Sequence, residues 1–507
     1  MSNPAAAPAA PADQAGLSYA SARGRWVLLA TVLGSAVASI DATVVGIALP
    51  AIGRDFGVGL ADLQWVVTAY TLTLAGLLLL AGALGDKYGR KRVFMIGVVW
   101  FALASLLCSV APTAGTLIAA RALQGVGAAL LTPGSLAILE AVFRPDDRGK
   151  AIGAWSGLSG VGPAIGPFIG GWLVQAVSWR LIFVINLPIA ALVVAVTLRH
   201  VPESRDPGAT APVDVTGGVL VTLGLVGLTY GLIQGPVNGW ASTPVLISLI
   251  AGVLLLGVFG WWEHRAPAPM LPLSLFRSTQ FTSTNVVTFI IYGAIGGALF
   301  LLPIELQQVS RYTALQAGIS LLPVTAITLA LSSRSGALAG RIGPRLQMSV
   351  GPVLVGAGIA LFALIGPSGN YLTEVLPGVV VFGLGLAVTV APLTSTALAT
   401  VPPEHSGMAS AVNNDVARAA ALIAVALLPA AGGITGNAYR NAPVFSAGFH
   451  TASLVSAGLC VAGGLLAAAT IRNPTRAEAA LRPAQEHPLH CAIDAPPQPV
   501  LVPRTQR

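Results

Sequence analysis

Charge is what this chain has least of. Lys, Arg, Asp and Glu make up 9% of its 507 residues, where soluble domains carry about a quarter. A soluble chain of this length would form about three domains, and 9% cannot cover their surfaces. Cysteine is also scarce. Cys108 and Cys460 lie in apolar runs and Cys491 in a polar tail, which excludes a disulfide framework and a zinc-site spacing. The six histidines (His200, His264, His405, His450, His487 and His490) are scattered, and neither HExxH nor GxSxG occurs. No nucleophile, metal set or acid pair gathers at one interface, which argues against a membrane-embedded enzyme. The phosphate-binding pattern GxxxxGK followed by Ser or Thr is absent, so the chain has no P-loop of its own. If it moves solute uphill, it must borrow an ion gradient. The net charge of +8 does not point to nucleic acid, because the basic residues form no polar domain and no aromatic interleaving.

What the chain has instead is apolar sequence, 55% of all residues. A membrane span needs about 20 such residues in a row. Fourteen runs qualify: 27–49, 63–84, 93–110, 114–139, 151–173, 181–198, 215–233, 244–262, 282–303, 315–331, 348–365, 372–398, 408–431 and 447–471. In lipid the backbone must bond within each segment, so the runs are helices. An outer-membrane barrel is excluded, since its strands are shorter and alternate in polarity. The first run is too long for a signal-peptide core, and residues 1–25, rich in Ala and Pro, carry none.

An even number of spans places both ends of the chain on one side. Of the 27 Lys and Arg, only Arg54, Arg180, Arg311 and Arg440 fall in loops on the opposite side, and Arg121 and Arg418 fall within spans. The rest share the side of the termini, which the positive-inside rule makes cytoplasmic. The loop Gly82-Ala-Leu-Gly-Asp-Lys-Tyr-Gly-Arg-Lys91 after span 2 is echoed by Gly336-Ala-Leu-Ala-Gly-Arg-Ile-Gly-Pro-Arg345 after span 10. Each follows the second helix of a six-helix set if spans 7 and 8 are an insertion, and parallel halves of this kind mark transporters. The expected division is a disordered cytoplasmic tail (1–25), an N-terminal six-helix bundle (26–199), an inserted helix pair (200–270), a C-terminal six-helix bundle (271–472) and a Pro-rich cytoplasmic tail (473–507), disordered by composition.

Few polar residues interrupt the spans. Asp41 stands alone in the first, where a carboxylate is costly unless paired, hydrated or protonated. Arg121 lies in the fourth. Counted from the span ends at 1.5 Å per residue, Asp41 lies roughly 22 Å and Arg121 roughly 18 Å from the cytoplasmic side of a 30 Å core. A guanidinium at that depth would hold the carboxylate ionised, and its withdrawal would let the carboxylate take a proton; a fixed structural salt bridge is the other reading. Span 5 carries Gly153, Gly162, Gly166, Pro167, Gly170 and Gly171, a pattern that permits close helix approach and a kink. It reads either as tight packing or as a hinge or seal. In the loop Gly82–Lys91, with Gly89, Arg90 and Lys91, the informative residue is Asp86, which could latch the cytoplasmic side by pairing with the other half. Asp415 and Arg418 share a helix face at a spacing of three. With Gln124, Asn413 and Asn414 they are candidates for substrate or coupling, and a local ion pair is equally open. Glu140, Glu305, Glu374 and Glu404 lie near span ends and need no buried role.

These motifs resemble those of the major facilitator superfamily, and within it the fourteen-helix drug:proton antiporters. The likeness runs from about Trp26 to Ile471. Asp41–Pro50 is similar to the first-helix motif, with Gly46 where asparagine is usual. Gly82–Lys91 is similar to the superfamily loop, and the second copy has Gly340 in its acidic position. Arg121–Gly127 looks like the fourth-helix motif. Gly153 to Gly171 matches the antiporter helix at every glycine and at Pro167. Trp179–Pro188 and the stretch from Leu306 to Pro323 also look like this family. The resemblance implies an all-α membrane protein of two six-helix bundles plus an inserted pair, 14 transmembrane helices in all. It implies a bacterial cytoplasmic-membrane exporter of drugs or antibiotics that works by alternating access. Asp41 and Arg121 would couple it to protons, span 5 would set the antiport geometry, and Asp86 would close the inner gate. The gradient replaces any cofactor. The expected partners are a small-molecule drug, protons and lipid, with the chain a monomer. A narrow natural-product or metabolite exporter is the alternative on the same fold. The span 5 pattern argues against an importer, and protonophore-sensitive uphill transport would exclude an uncoupled channel.

Overall fold

A computed structural model describes residues 16–473 apart from 160, 207, 209, 210 and 401–405. Cys491, Glu404, and the disorder expected of 1–15 and 474–507 lie outside the described residues.

The helices are α1 (Ala22–Phe56), α2 (Leu60–Tyr88), α3 (Arg90–Ser109), α4 (Ala114–Val142), α5 (Pro145–Ser159), α6 (Val161–Ala176), α7 (Leu181–Val184), α8 (Asn186–His200), α9 (Val215–Asn238), α10 (Thr243–Arg265), α11 (Thr279–Gln308), α12 (Ala314–Ser320), α13 (Leu322–Ile342), α14 (Pro344–Phe362), α15 (Leu376–Ala399), α16 (Ser406–Ala431) and α17 (Ala442–Thr470). Among the described residues, thirteen helical segments are long and apolar enough to cross a membrane. The run 151–173 is carried by α5 and α6, which lie on either side of residue 160, outside the described residues.

Capping marks where several helices begin. The Ser21 hydroxyl accepts from Gly24 N at 3.0 Å at the start of α1. Reciprocal capping boxes, Thr113 with Thr116 and Thr313 with Gln316, open α4 and α12, each satisfying backbone donors a helix start leaves open. Gly57 ends α1 at φ 65° and Gly89 separates α2 from α3 at φ 113°, conformations that glycine adopts without a side-chain penalty.

Helices α1–α8 pack on one another, as do α11–α17; α9 and α10 pair together, with α9 lying against α2 and α16. Residues 16–21, expected in the tail, are docked. Leu17 N donates to Val142 O at 2.8 Å, and Tyr19 N to Asp147 Oδ2 at 2.9 Å. That bond holds the half-buried Asp147 carboxyl below its ordinary range. At the other end, the Asn473 side chain accepts from Arg345 N at 3.0 Å. Both ends of the described residues thus meet helix turns on one face, here the terminal face; the opposite face is the far face.

Candidate functional site

Five helices converge on Asp41. It and Arg121 are each about 1% exposed, and Arg121 Nη1 donates to Asp41 Oδ2. The same nitrogen donates to Gln124 Oε1 at 2.6 Å, while Gln124 Nε2 donates to Asp41 Oδ1 at 2.8 Å. Asn186 Nδ2, at the start of α8, also donates to Asp41 Oδ1, at 3.0 Å. Both amides reach Ser105 Oγ on α3, at 2.8 and 2.9 Å. Arg121 Nε donates to Val66 O of α2 at 3.1 Å, and its guanidinium lies 4.3 Å from the Tyr70 ring centroid. The carboxylate is therefore held by two amide donors and a paired cation, and the cation in turn by a carbonyl and a ring face. Such a pair is stable only while it stays complete, because removing one partner strands a buried charge.

The two charges that depth arithmetic set at one level are in contact. Gln124 joins them directly. Asn186, Ser105 and Tyr70 were not singled out from the sequence. Asn186 had a usable signal, being the only amide in the apolar segment Trp179–Pro188.

The glycines of the antiporter-type segment form a strip against the helix that carries Asp41. A Cβ on Gly162 would lie 3.4 Å from Ala36 O, one on Gly166 2.1 Å from Thr43 Oγ1, and one on Gly170 3.0 Å from Val44 Cγ1. Gly171 faces the other half of the molecule, where its Cβ would meet Ala314 O at 2.5 Å; on α12, a Cβ on Gly318 would meet Pro167 O at 2.1 Å. Gly153 has open space around it, as has Gly46 on α1.

The contact of α6 with α12 belongs to a seal near the far face. Gln64 Nε2 donates to Val425 O at 2.6 Å and to Ala426 O at 3.2 Å. Gln307 Nε2 donates to Ile47 O at 2.9 Å, and Arg440 Nη2 to Gly57 O at 2.6 Å. Among the described residues, these are all the hydrogen bonds between α1–α8 and the segment from α11 onward, and each lies toward the far face.

The loop Gly82–Lys91 is on the terminal face and is tied elsewhere. Asp86 pairs with Arg90 of its own loop at 2.8 Å. Asp206 N donates to Asp86 O at 3.0 Å and Arg90 N to Ser204 O at 2.8 Å. Lys87 Nζ reaches Ala211 O at 3.0 Å and Lys91 N reaches Glu203 Oε1 at 3.1 Å. The loop thus docks on the linker before α9, and Asp86 makes no bond to the other half among the described residues. Gly82 packs loosely, the nearest atom to a Cβ there being 3.8 Å away.

On α16 the candidates divide. Asn413 Nδ2 is committed to α11, at 3.1 Å from Asn285 Oδ1 and 2.9 Å from Thr288 Oγ1. Asn414 is exposed and bonds back to Ser410 O. Asp415 and Arg418 share a face, yet Asp415 Oδ1 and Arg418 Nε are buried without a partner. A local ion pair at this spacing requires rotamers that the two side chains do not adopt. One reading is corrected. Glu305, placed at a span end with no buried role, is fully buried; α11 runs on to Gln308, so Glu305 is still inside the helix and turned toward α17.

The Major Facilitator Superfamily model matches residues 31–426. The multidrug resistance protein Stp of Mycobacterium tuberculosis is 37% identical over 386 residues, covering 76% of this chain and 71% of that one. The puromycin resistance protein of Streptomyces alboniger is 36% identical over 427 residues, 83% of this chain and 84% of that one. Among solved structures, a bacterial homologue of the lysosomal transporter Spinster, in an inward-facing and unoccupied conformation, superposes with a TM-score of 0.63 at 16% identity, covering 89% of this chain and 98% of that one.

Proposed function

The chain belongs to the Major Facilitator Superfamily, and from that premise we propose that it is a proton-coupled antiporter exporting amphiphilic drugs or antibiotics across a bacterial cytoplasmic membrane, with the terminal face in the cytoplasm. Supporting the orientation is the excess of basic residues on that face. Supporting the direction are relatives named for resistance to many drugs or to puromycin.

The observation that carries the coupling is Asp41, the carboxylate locked by Arg121, Gln124 and Asn186 on the same helix that the α6 glycines grip. When the halves rock about the midplane, α6 and α1 move as one tightly packed unit. Movement that draws Arg121 away leaves a buried carboxylate that must take a proton or water. Binding of an external proton as substrate leaves, and its release inside, then drives export.

The test is growth of an efflux-deficient bacterial host carrying the chain, across a panel of antibiotics and dyes, with and without a protonophore. Protonophore-sensitive protection against at least one compound is expected. Uphill efflux that persists without the gradient sinks the coupling.

Arg121→Lys keeps the charge and loses the planar fork. One hydrogen bond to a charged group is worth ~1.5–3 kcal/mol, so export is expected to fall roughly ten- to hundredfold. Wild-type efflux rates in the lysine variant would reduce Arg121 to a point charge.

A further inference from the structure

Glu305 has no part in the site above, yet it is fully buried. Ser446 Oγ on α17 donates to its Oε1 at 2.7 Å, and its Oε2 has no partner. Ser446 Oγ is in turn 3.3 Å from His450 Nε2, which lies 2.9 Å from Ile365 O. That carbonyl can only accept, so Nε2 carries the hydrogen. His450 is half-buried and touches the turn between α14 and α15 on the far face. The row His450, Ser446, Glu305 thus leads from a half-buried side chain to two buried ones.

No cation neutralises Glu305 among the described residues. Of the helices packed against α11, α17 offers His450, α15 and α12 offer no charged side chain, and α14 and the short helix Leu273–Arg277 offer only Arg345 and Arg277, both on the terminal face. α16 offers Asp415 and Arg418, at least 13 residues from its far end. Toward the far face α1 offers Asp55, already paired with Arg180 at 2.7 Å, and Arg54, which is exposed; its Asp41 is committed to Arg121. Glu374, beyond Ile365, is tied to Gly366 N at 3.0 Å, and Arg311 is exposed. An ionised Glu305 would leave one buried oxygen without a donor and without a counter-charge.

We propose that Glu305 is a second proton-binding site, loaded and unloaded from the outer side through His450 and Ser446, whose charge sets the strength of the outer seal. In loading, an imidazolium at His450 gives its Nε2 proton to Ser446 Oγ as the Ser446 hydroxyl proton passes to Glu305 Oε1. A neutral imidazole protonated at Nδ1, a hydroxyl and a carboxylic acid result, no charge is left over, and Nε2 gives up its hydrogen bond to Ile365 O until a proton from outside restores it. The link to the seal is local. Glu305 O accepts from Val309 N at 2.9 Å and Ser310 N at 3.2 Å, closing the last turn of α11, and from that turn Gln307 reaches Ile47 O across the halves. Ser310 Oγ ties the same end to Gly366 O at 2.9 Å. Neutral Glu305 keeps this end dry and closed, and an anion draws in water and loosens it. This proton is not the transported one, which under the antiport reading belongs to Asp41. The identification of outer with far face rests on that reading, whereas the bound proton does not.

Two measurements on the full chain in liposomes test this without a substrate. In pH-difference infrared spectra, a buried carboxylic-acid carbonyl band is expected in wild type. It should vanish in Glu305→Gln, persist in Asp41→Asn, and titrate at a shifted pH in His450→Gln and Ser446→Ala. A band unchanged in Glu305→Gln overturns the site. Spin labels at Val110→Cys and Val444→Cys, both exposed on the far face, with Cys491→Ser, report the seal. Raising the pH should lengthen their separation in wild type and leave it short in Glu305→Gln. Equal lengthening in both overturns the control of the seal. Absence of drug protection in the growth panel would remove the export reading and leave both of these results standing.

Discussion

Asp41→Asn is expected to abolish uphill export. An asparagine cannot take or release a proton, so the variant has no means of using the gradient. One proton moving inward contributes about 2.3 kcal/mol per 100 mV, which sustains roughly a fiftyfold gradient of a neutral substrate. In Asp41→Asn that ratio should collapse to one, while substrate exchange without a gradient continues. The variant also strands Arg121, and breaking one side of a buried pair costs about 3–5 kcal/mol, so lost activity alone would be ambiguous. The double variant Asp41→Asn/Arg121→Gln removes both charges and relieves that cost. It should regain thermal stability and membrane levels and still fail to concentrate substrate. A double variant that exports uphill would refute the proton role of Asp41.

Gly166→Leu should be as damaging for a different reason. Even a Cβ there would lie 2.1 Å from Thr43 Oγ1 and 3.3 Å from Ile40 O. Thr43 can turn aside, but the carbonyl belongs to the α1 backbone and cannot. The strain of overpacking, ~1–3 kcal/mol or more, falls on the contact that couples α6 to the Asp41 helix. Efflux should drop at least tenfold, with the two helices pushed apart. Gly153→Leu is the internal control. It alters the same sequence pattern, yet a Cβ at Gly153 meets nothing within 4 Å, so stability should change within about ±0.5 kcal/mol. Equal damage from both substitutions would mean that the pattern acts through something other than packing against α1. Thermal stability of the two purified variants, read beside their efflux rates, decides it.

These contrasts show what the sequence could and could not disclose. Span positions were legible because lipid imposes length and apolarity on every crossing. The meeting of Asp41 and Arg121 was legible because depth is a one-dimensional quantity that residue counting supplies. The direction a side chain takes around its helix axis is not. Asn186, Ser105 and Tyr70 sit on three other helices, and only the packing of those helices brings them to Asp41. Glu305 was misplaced for a related reason. Its nearness to a span end suggested water, whereas α11 continues past it and α17 covers it. Asp415 and Arg418 show the limit from the other side, since a spacing of three guarantees a shared face and leaves rotamers free.

The far-face seal has one further property. Each of its hydrogen bonds runs from a side-chain donor, Gln64, Gln307 or Arg440, to a main-chain carbonyl of Ile47, Gly57, Val425 or Ala426. A carbonyl has a second lone pair free even when the helix uses the first, and it is present whatever residue occupies the position. Side-chain deletion can therefore remove these hydrogen bonds from the donor side only. The acceptor positions Ile47, Val425 and Ala426 are at liberty to drift over generations, so the walls around them can be re-cut for new compounds without loosening these bonds. In a lineage under changing chemical attack, such an arrangement separates what must be inherited unchanged from what can be rewritten.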